Sequence, residues 1–229
     1  MTQIVLAGLL FVGAHIGISS TGARARLVGL LGVRGYLGFY SLCAIATLGY
    51  LIWLYGELPR YEYIWEPSPL LYGIARYVMP VAFILLLGGL LVKNPTAVGM
   101  EGMLRDAPGV KDLARGVTRI TRHPLQWAIA VWACSHLIAN GDTISVVFFS
   151  TFLVLSVIGT LLIDRKKSAS LGEHWRAYRD QTSNIPFLAI VTGRNRLAFA
   201  ELWLPVSLGL GGYFAVLYFH EWIAGVRLI

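Results

Sequence analysis

Three histidines lie in or beside long apolar stretches of this chain. His15 interrupts the first stretch, His123 precedes another at Pro124, and His136 lies further along that same stretch. A neutral imidazole can bind haem iron or a metal ion, and it can also form a hydrogen bond between two helices. An unpartnered polar side chain is costly in lipid, so each histidine is a candidate functional residue. An interhelical hydrogen bond is the alternative for each.

Spacing along the chain limits which histidines can share one ligand. His123 and His136 lie about 20 Å apart on one helix, so they cannot both bind one iron. His15 belongs to another helix, at an axial offset of about 12 Å from His136 and about 7 Å from His123. Side-chain reach leaves both pairings open. His123 also precedes Pro124, which favours the first turn of a helix, so it can instead mark that helix start at the membrane surface.

Six apolar stretches must position these histidines. The chain has 229 residues, of which 14% are charged, and its mean hydropathy is +0.65. A soluble domain carries about 25% charged residues, and about 20 apolar residues span a bilayer. The sequence therefore predicts an all-α, polytopic membrane helix bundle of about six transmembrane helices, as one domain over residues 1–229. The predicted spans are residues 3–20, 36–55, 70–92, 124–141, 143–163 and 197–219, and Asn140-Gly141-Asp142 is predicted to form a tight turn after the fourth.

The distribution of positive charge predicts the orientation. Sixteen of the nineteen Lys and Arg residues fall in the first, third and fifth connections between the apolar stretches. Positive charge collects on the cytoplasmic side, so both termini are expected on the non-cytoplasmic face. The net charge of +7 is then explained by anionic lipid headgroups, and nucleic acid is not an expected partner. Residues 1–23 contain no Lys or Arg, which argues against a signal peptide.

Motifs spread over nearly the whole chain resemble one family of membrane proteins. The segment at 120–124 reads Ile-Thr-Arg-His-Pro, and Trp132 and His136 follow before Asn140-Gly141-Asp142. Other matching segments are His15-Ile16-Gly17, Arg34-Gly35-Tyr36, Asp164-Arg165-Lys166, Thr182-Ser183 and Pro186-Phe187. With this combination the chain resembles the NnrU family of bacterial membrane proteins, which also includes the plant and algal 15-cis-ζ-carotene isomerase.

The resemblance implies a cofactor and a reaction. In the isomerase branch, haem b held by histidines is thought to isomerise a cis double bond of a long polyene with no net redox change. The corresponding residues here are His15 and His136, which are the expected axial iron ligands. The isomerase has a cysteine directly after the tryptophan, where this chain has Ala133. The resemblance also implies a hydrophobic small-molecule substrate and a bacterial inner membrane location. It assigns no catalytic residue.

A second resemblance competes with the first. Arg122-His123-Pro124 and the segment 172–178 are similar to integral membrane methyltransferases of the isoprenylcysteine and phospholipid type, which use S-adenosylmethionine. On that reading His123 is a cofactor-binding residue. Those enzymes usually continue the motif with a tyrosine and then a glycine, whereas residues 125–128 here are Leu-Gln-Trp-Ala. A third alternative is a non-enzymatic membrane factor linked to nitrite and nitric oxide metabolism, with a protein partner that the sequence does not identify.

Overall fold

The computed structural model of the chain describes residues 1–97, 100, 102–105, 112–226 and 228. This part of the chain is helical and contains no β-strand, as predicted for an all-α protein. Two single-turn 3-10 helices lie at Gly116–Arg119 and Phe199–Glu201. The α-helices are α1 Thr2–Ser20, α2 Gly22–Glu57, α3 Pro69–Leu91, α4 Gly102–Arg105, α5 Pro124–Ala139, α6 Thr143–Leu171, α7 Glu173–Gln181, α8 Leu188–Val191 and α9 Trp203–Ala224.

Four helices in the described ranges are long and apolar enough to cross a membrane, namely α1, α2, α3 and α6. Helix α5 is apolar but has only 16 residues, and α9 has 22 residues but is not among these four. The chain is therefore a membrane protein with helices at all six predicted positions. The count of six spans and the orientation of the termini stay predictions. Much of the surface of the four spans is apolar and exposed, as lipid contact requires.

Helix α2 begins much earlier than the predicted span at Tyr36. Thr21 caps the helix, because its Oγ1 accepts a hydrogen bond from Ala23 N at 3.1 Å. The backbone leaves the helical conformation at Gly32, where φ is +69°, and then continues helically to Glu57. The helix therefore extends well before the predicted span, since no residue after Thr21 stops it before Gly32.

The chain divides into two compact units, which we call unit 1 and unit 2. Unit 1 comprises residues 1–75 and 133–162, and unit 2 comprises residues 76–132 and 163–229. In unit 1, Gly8 of α1 faces Thr151 of α6, where an added Cβ would lie 2.6 Å from the threonine Oγ1. In unit 2, Gly209 of α9 meets the backbone of Ile84 in α3. Whether residues 1–229 form one domain stays a prediction.

The predicted tight turn at residues 140–142 is confirmed within unit 1. Helix α5 ends at Ala139 and α6 begins at Thr143. Asp142 caps α6, since its Oδ1 accepts a hydrogen bond from Ser145 N at 2.8 Å. Gly141 packs against the chain at Trp65, where a Cβ would lie 1.7 Å from the carbonyl oxygen. Only glycine fits this approach, which attaches the loop after α2 to the turn.

Candidate functional site

His15 lies half-buried on α1, and one ring nitrogen is already engaged. Its Nδ1 is 2.9 Å from the carbonyl oxygen of Phe11. A carbonyl only accepts hydrogen bonds, so Nδ1 carries a proton, and in the neutral form of the imidazole Nε2 has a free electron pair. Metal-binding histidines commonly donate their other N–H to a backbone carbonyl in this way. This contact leaves Nε2 as the ring nitrogen of His15 that could act as a ligand atom.

His15 and His136 both belong to unit 1, and a path of aromatic contacts connects them. The ring centroids of His15 and Phe11 lie 4.3 Å apart, and those of His136 and Phe149 lie 4.8 Å apart. Between these two contacts, successive ring centroids are separated by 5.1 to 5.5 Å. We call the connecting rings the phenylalanine cluster, which consists of Phe11, Phe148, Phe149 and Phe152. The two histidines that the family resemblance pairs thus border one apolar cluster.

The cysteine near His136 does not replace the one that this chain lacks. Ala133 is fully buried, whereas Cys134 is exposed on α5. Consecutive residues on a helix point about 100° apart, so Cys134 cannot take the direction of residue 133. Among the described residues, no group of three or more His, Cys, Asp or Glu side chains could hold a metal ion. A haem held by two histidines does not require such a group.

His123 directly precedes the first residue of α5, as predicted for a helix start, and its side chain is fully buried in unit 2. Its Nε2 lies 2.7 Å from Asp164 Oδ1. Its Nδ1 is buried and has no hydrogen-bond partner in the described part of the chain. The carboxylate at Asp164 also accepts hydrogen bonds from the guanidinium of Arg122. His123 is thus paired in the protein interior with an aspartate that lies 41 residues away in the sequence.

Arg119 forms a second buried ionic group in unit 2. Its guanidinium bonds to Glu201 at 2.8 and 2.9 Å, to Asp112 at 2.7 Å and to Asn195 at 3.0 Å. The basic residues between α3 and α5 were expected to face lipid headgroups. This expectation was wrong for Arg119 and Arg122, because both are buried. Glu201 pairs with Arg119 and Asp164 pairs with Arg122, and both acids are too distant in the sequence for local spacing to indicate these pairs. Two other basic residues of that connection, Arg105 and Lys111, lie outside the described residues or side chains.

Burial and pairing shift the pKa values of these groups. Burial lowers the pKa of His123, and the opposing effect of Asp164 does not restore it. His123 is therefore neutral at pH 7, which makes Nε2 the donor to Asp164 and leaves Nδ1 with a free electron pair. The hydrogen bond from Arg119 lowers the pKa of Glu201. The same pairing raises the pKa of Arg119, so that both groups stay charged.

Helix α7 contributes two aromatic residues to the surroundings of Arg122, His123 and Asp164. Trp175 and Tyr178 are buried, and their ring centroids lie 5.6 Å apart. The Tyr178 hydroxyl has no hydrogen-bond partner in the described part of the chain, and it lies near Thr118 and within electrostatic range of Arg122 and Asp164. Burial raises the pKa of Tyr178. The structure therefore joins the two sequence segments that resemble membrane methyltransferases.

Comparison with known proteins identifies relatives of the chain. The profile of the NnrU protein family matches residues 3–228. Two curated relatives are the chloroplastic 15-cis-zeta-carotene isomerases of Zea mays, at 29% identity, and Arabidopsis thaliana, at 31% identity. Each alignment covers 48% of this chain but only 32% of the relative, so the chain matches about a third of the isomerases' length. No solved structure matches.

Proposed function

The chain belongs to the NnrU family, and on that premise we propose that it is a membrane haem b protein with His15 and His136 as axial ligands. The observation that carries this proposal is the hydrogen bond from His15 Nδ1 to Phe11 O, which leaves Nε2 available to iron. The expected location is the bacterial inner membrane. The expected activity is isomerisation of a cis double bond in a hydrophobic polyene.

The surroundings of the two histidines suit such a group. Haem b is a large apolar macrocycle, and unit 1 supplies aromatic rings in contact with both imidazoles. Bound haem would supply an iron centre that promotes rotation about a double bond with no net redox change. The chain would contribute neutral imidazoles and phenylalanine rings that exclude water. Ala133 removes the cysteine of the isomerase branch, so the proposed ligand set is two histidines without thiolate exchange.

An absorption spectrum of the purified, detergent-solubilised chain tests haem binding. After expression with ample haem, we expect a Soret band and the α band of a reduced b-type haem. His15→Ala and His136→Ala should each reduce the bound haem severalfold. His174→Ala is the matched control, because His174 lies exposed on α7 and should leave the spectrum unchanged. A colourless wild type, or equal loss in all three variants, would overturn the proposal.

Isomerase activity needs its own assay, because haem binding does not establish a substrate. Haem-loaded protein is incubated with 15-cis-zeta-carotene, and the products are separated by chromatography. We expect conversion to an isomer of unchanged mass, lost in the His15→Ala variant. If the haem-loaded protein converts no cis polyene, haem binding stands and the isomerase activity is rejected.

One observation favours a second candidate, an S-adenosylmethionine-dependent methyltransferase. The structure brings Arg122-His123-Pro124 together with α7, and His123 Nδ1 is left without a described partner. S-adenosylmethionine should then raise the melting temperature of the purified chain, and His123→Gln should abolish that rise. Binding of neither cofactor, together with a partner recovered by membrane pull-down, would instead favour a non-enzymatic family member.

A further inference from the structure

The imidazole of His15 is held from two sides by different helices. On its own helix, Nδ1 bonds to Phe11 O at 2.9 Å. From α2, the ring of Tyr40 approaches with a centroid distance of 5.8 Å and an interplanar angle of 74°. The hydrogen bond fixes one atom of the imidazole, but rotation about the side-chain bonds would still turn the ring. An edge contact from a second helix limits that rotation.

Tyr40 is itself held in place by its neighbours. Its ring stacks on Tyr36, with centroids 6.2 Å apart and planes 19° apart, and Tyr36 is buried. Its side chain also lies near that of Ser19, which is one helical turn beyond His15 on α1. The Ser19 hydroxyl in turn donates to the carbonyl oxygen of His15. Tyr40 therefore connects the His15 ring with α2 through a contact that its own neighbours support.

We propose that Tyr40 is a positioning residue that sets the plane of the His15 imidazole, and hence the direction of Nε2. This inference rests on the proposed haem function for its purpose. A ligand residue must be held in orientation by its supporting shell before the metal arrives, since a freely turning imidazole binds more weakly. Tyr40 and Ser41 follow Arg34-Gly35-Tyr36 in a segment that resembles the family, but the sequence does not connect Tyr40 with His15, which lies 25 residues away.

The first test uses the protein without haem. Nitrogen NMR of the full chain, labelled on histidine, reports the tautomer of each imidazole, and His15 is assigned by its loss in His15→Ala. We expect a single Nδ1–H form of His15 in the wild type. Tyr40→Leu should produce a mixture of both tautomers, while Tyr40→Phe keeps the ring and should keep the single form. Tyr50→Leu is the control, as Tyr50 is an exposed residue of the same helix that stacks on Trp53.

The second test uses haem-loaded protein and separates the two proposals. In Tyr40→Leu we expect at least half of the haem to remain bound, with part of the iron converted from low to high spin in the electron paramagnetic resonance spectrum. Tyr40→Phe and Tyr50→Leu should match the wild type. If Tyr40→Leu does not fold, Tyr40→Met replaces it in both tests.

The outcomes are distinguishable. If the wild type binds no haem, the cofactor proposal fails, and the NMR result alone decides whether Tyr40 orients His15. If haem binds but Tyr40→Leu shows the wild-type tautomer and the wild-type spin state, the positioning role is overturned while haem binding stands. A spin-state change of equal size in Tyr50→Leu would also overturn it, because the effect would then be general to α2.

Discussion

His123 Nε2 donates a hydrogen bond to Asp164 Oδ1 across 2.7 Å, between residues 41 positions apart in the chain. The same carboxylate accepts from both Nε and a terminal nitrogen of Arg122. One aspartate thus neutralises a buried arginine and orients a buried histidine. Because the His-Pro step starts helix α5, this carboxylate connects the beginning of α5 to the end of α6 within unit 2.

Removing that carboxylate should destabilise the protein strongly. Asp164→Asn leaves the buried Arg122 charge without its partner, and such losses cost about 3–5 kcal/mol. We expect a decrease of this order in the free energy of unfolding, measured by denaturant titration in detergent. Asp180→Asn is the control, because its side chain is 64% exposed and no comparable loss should follow. Equal stability of the two variants would show that the ion pair contributes little.

Acidification should destabilise the chain through His123. Its folded-state pKa lies below the unfolded value of about 6.5, so the unfolded chain binds the proton more readily. Stability should therefore be constant with respect to this group above about pH 6.5 and fall as the pH decreases towards the folded-state pKa. Melting temperatures between pH 8 and pH 5 measure the effect. His123→Gln keeps a donor to Asp164 but does not titrate, so its profile should be flatter. Parallel profiles would contradict the assignment.

The geometry of Arg119 should make it sensitive to replacement by lysine. Arg119→Lys keeps the charge but loses the planar set of donors that reaches Glu201, Asp112 and Asn195 together. We expect a loss of about 1.5–3 kcal/mol, the range for hydrogen bonds to charged groups. Arg176→Lys provides the comparison, since Arg176 is 62% exposed and pairs with Glu173 across one helical turn. A loss no larger than in this control would argue against a structural role for the Arg119 group.

Two glycines of α9 provide a matched pair for the packing against α3. A Cβ at Gly209 would lie 2.6 Å from Ile84 Cα, whereas a Cβ at Gly211 would meet none of the described residues within 4 Å. Gly209→Ala should destabilise the fold by about 1–3 kcal/mol, because the helices must move apart. Gly211→Ala should be neutral or stabilising by up to about 1 kcal/mol, since alanine favours the helix. Unfolding titrations of both variants test this. Similar effects would mean that the two helices do not pack closely at Gly209.

Composition and apolar patterning predicted the class of fold because lipid imposes a simple rule. A chain that crosses hydrocarbon must satisfy its backbone within helices, so the apolar stretches were predictable as helices and the turn at Asn140-Gly141-Asp142 as their connection. The start of α2 was not predictable from hydropathy, because hydropathy does not detect a helix cap. Residues 22–31 are helical since Thr21 caps the helix and no residue stops it before Gly32.

For the candidate residues, too, some properties follow from the sequence and others only from the tertiary structure. The sequence by itself determined that His15, His123 and His136 need explanation, since polar groups in apolar stretches are costly. Only the tertiary structure decided that His123 and its neighbouring arginines are buried with acids up to 82 positions away. It also decided that aromatic contacts connect His15 with His136, and that Tyr40 supports His15 from another helix. The physical reason is that a residue's type indicates its chemistry, whereas its partners and its pKa depend on which distant segments pack against it.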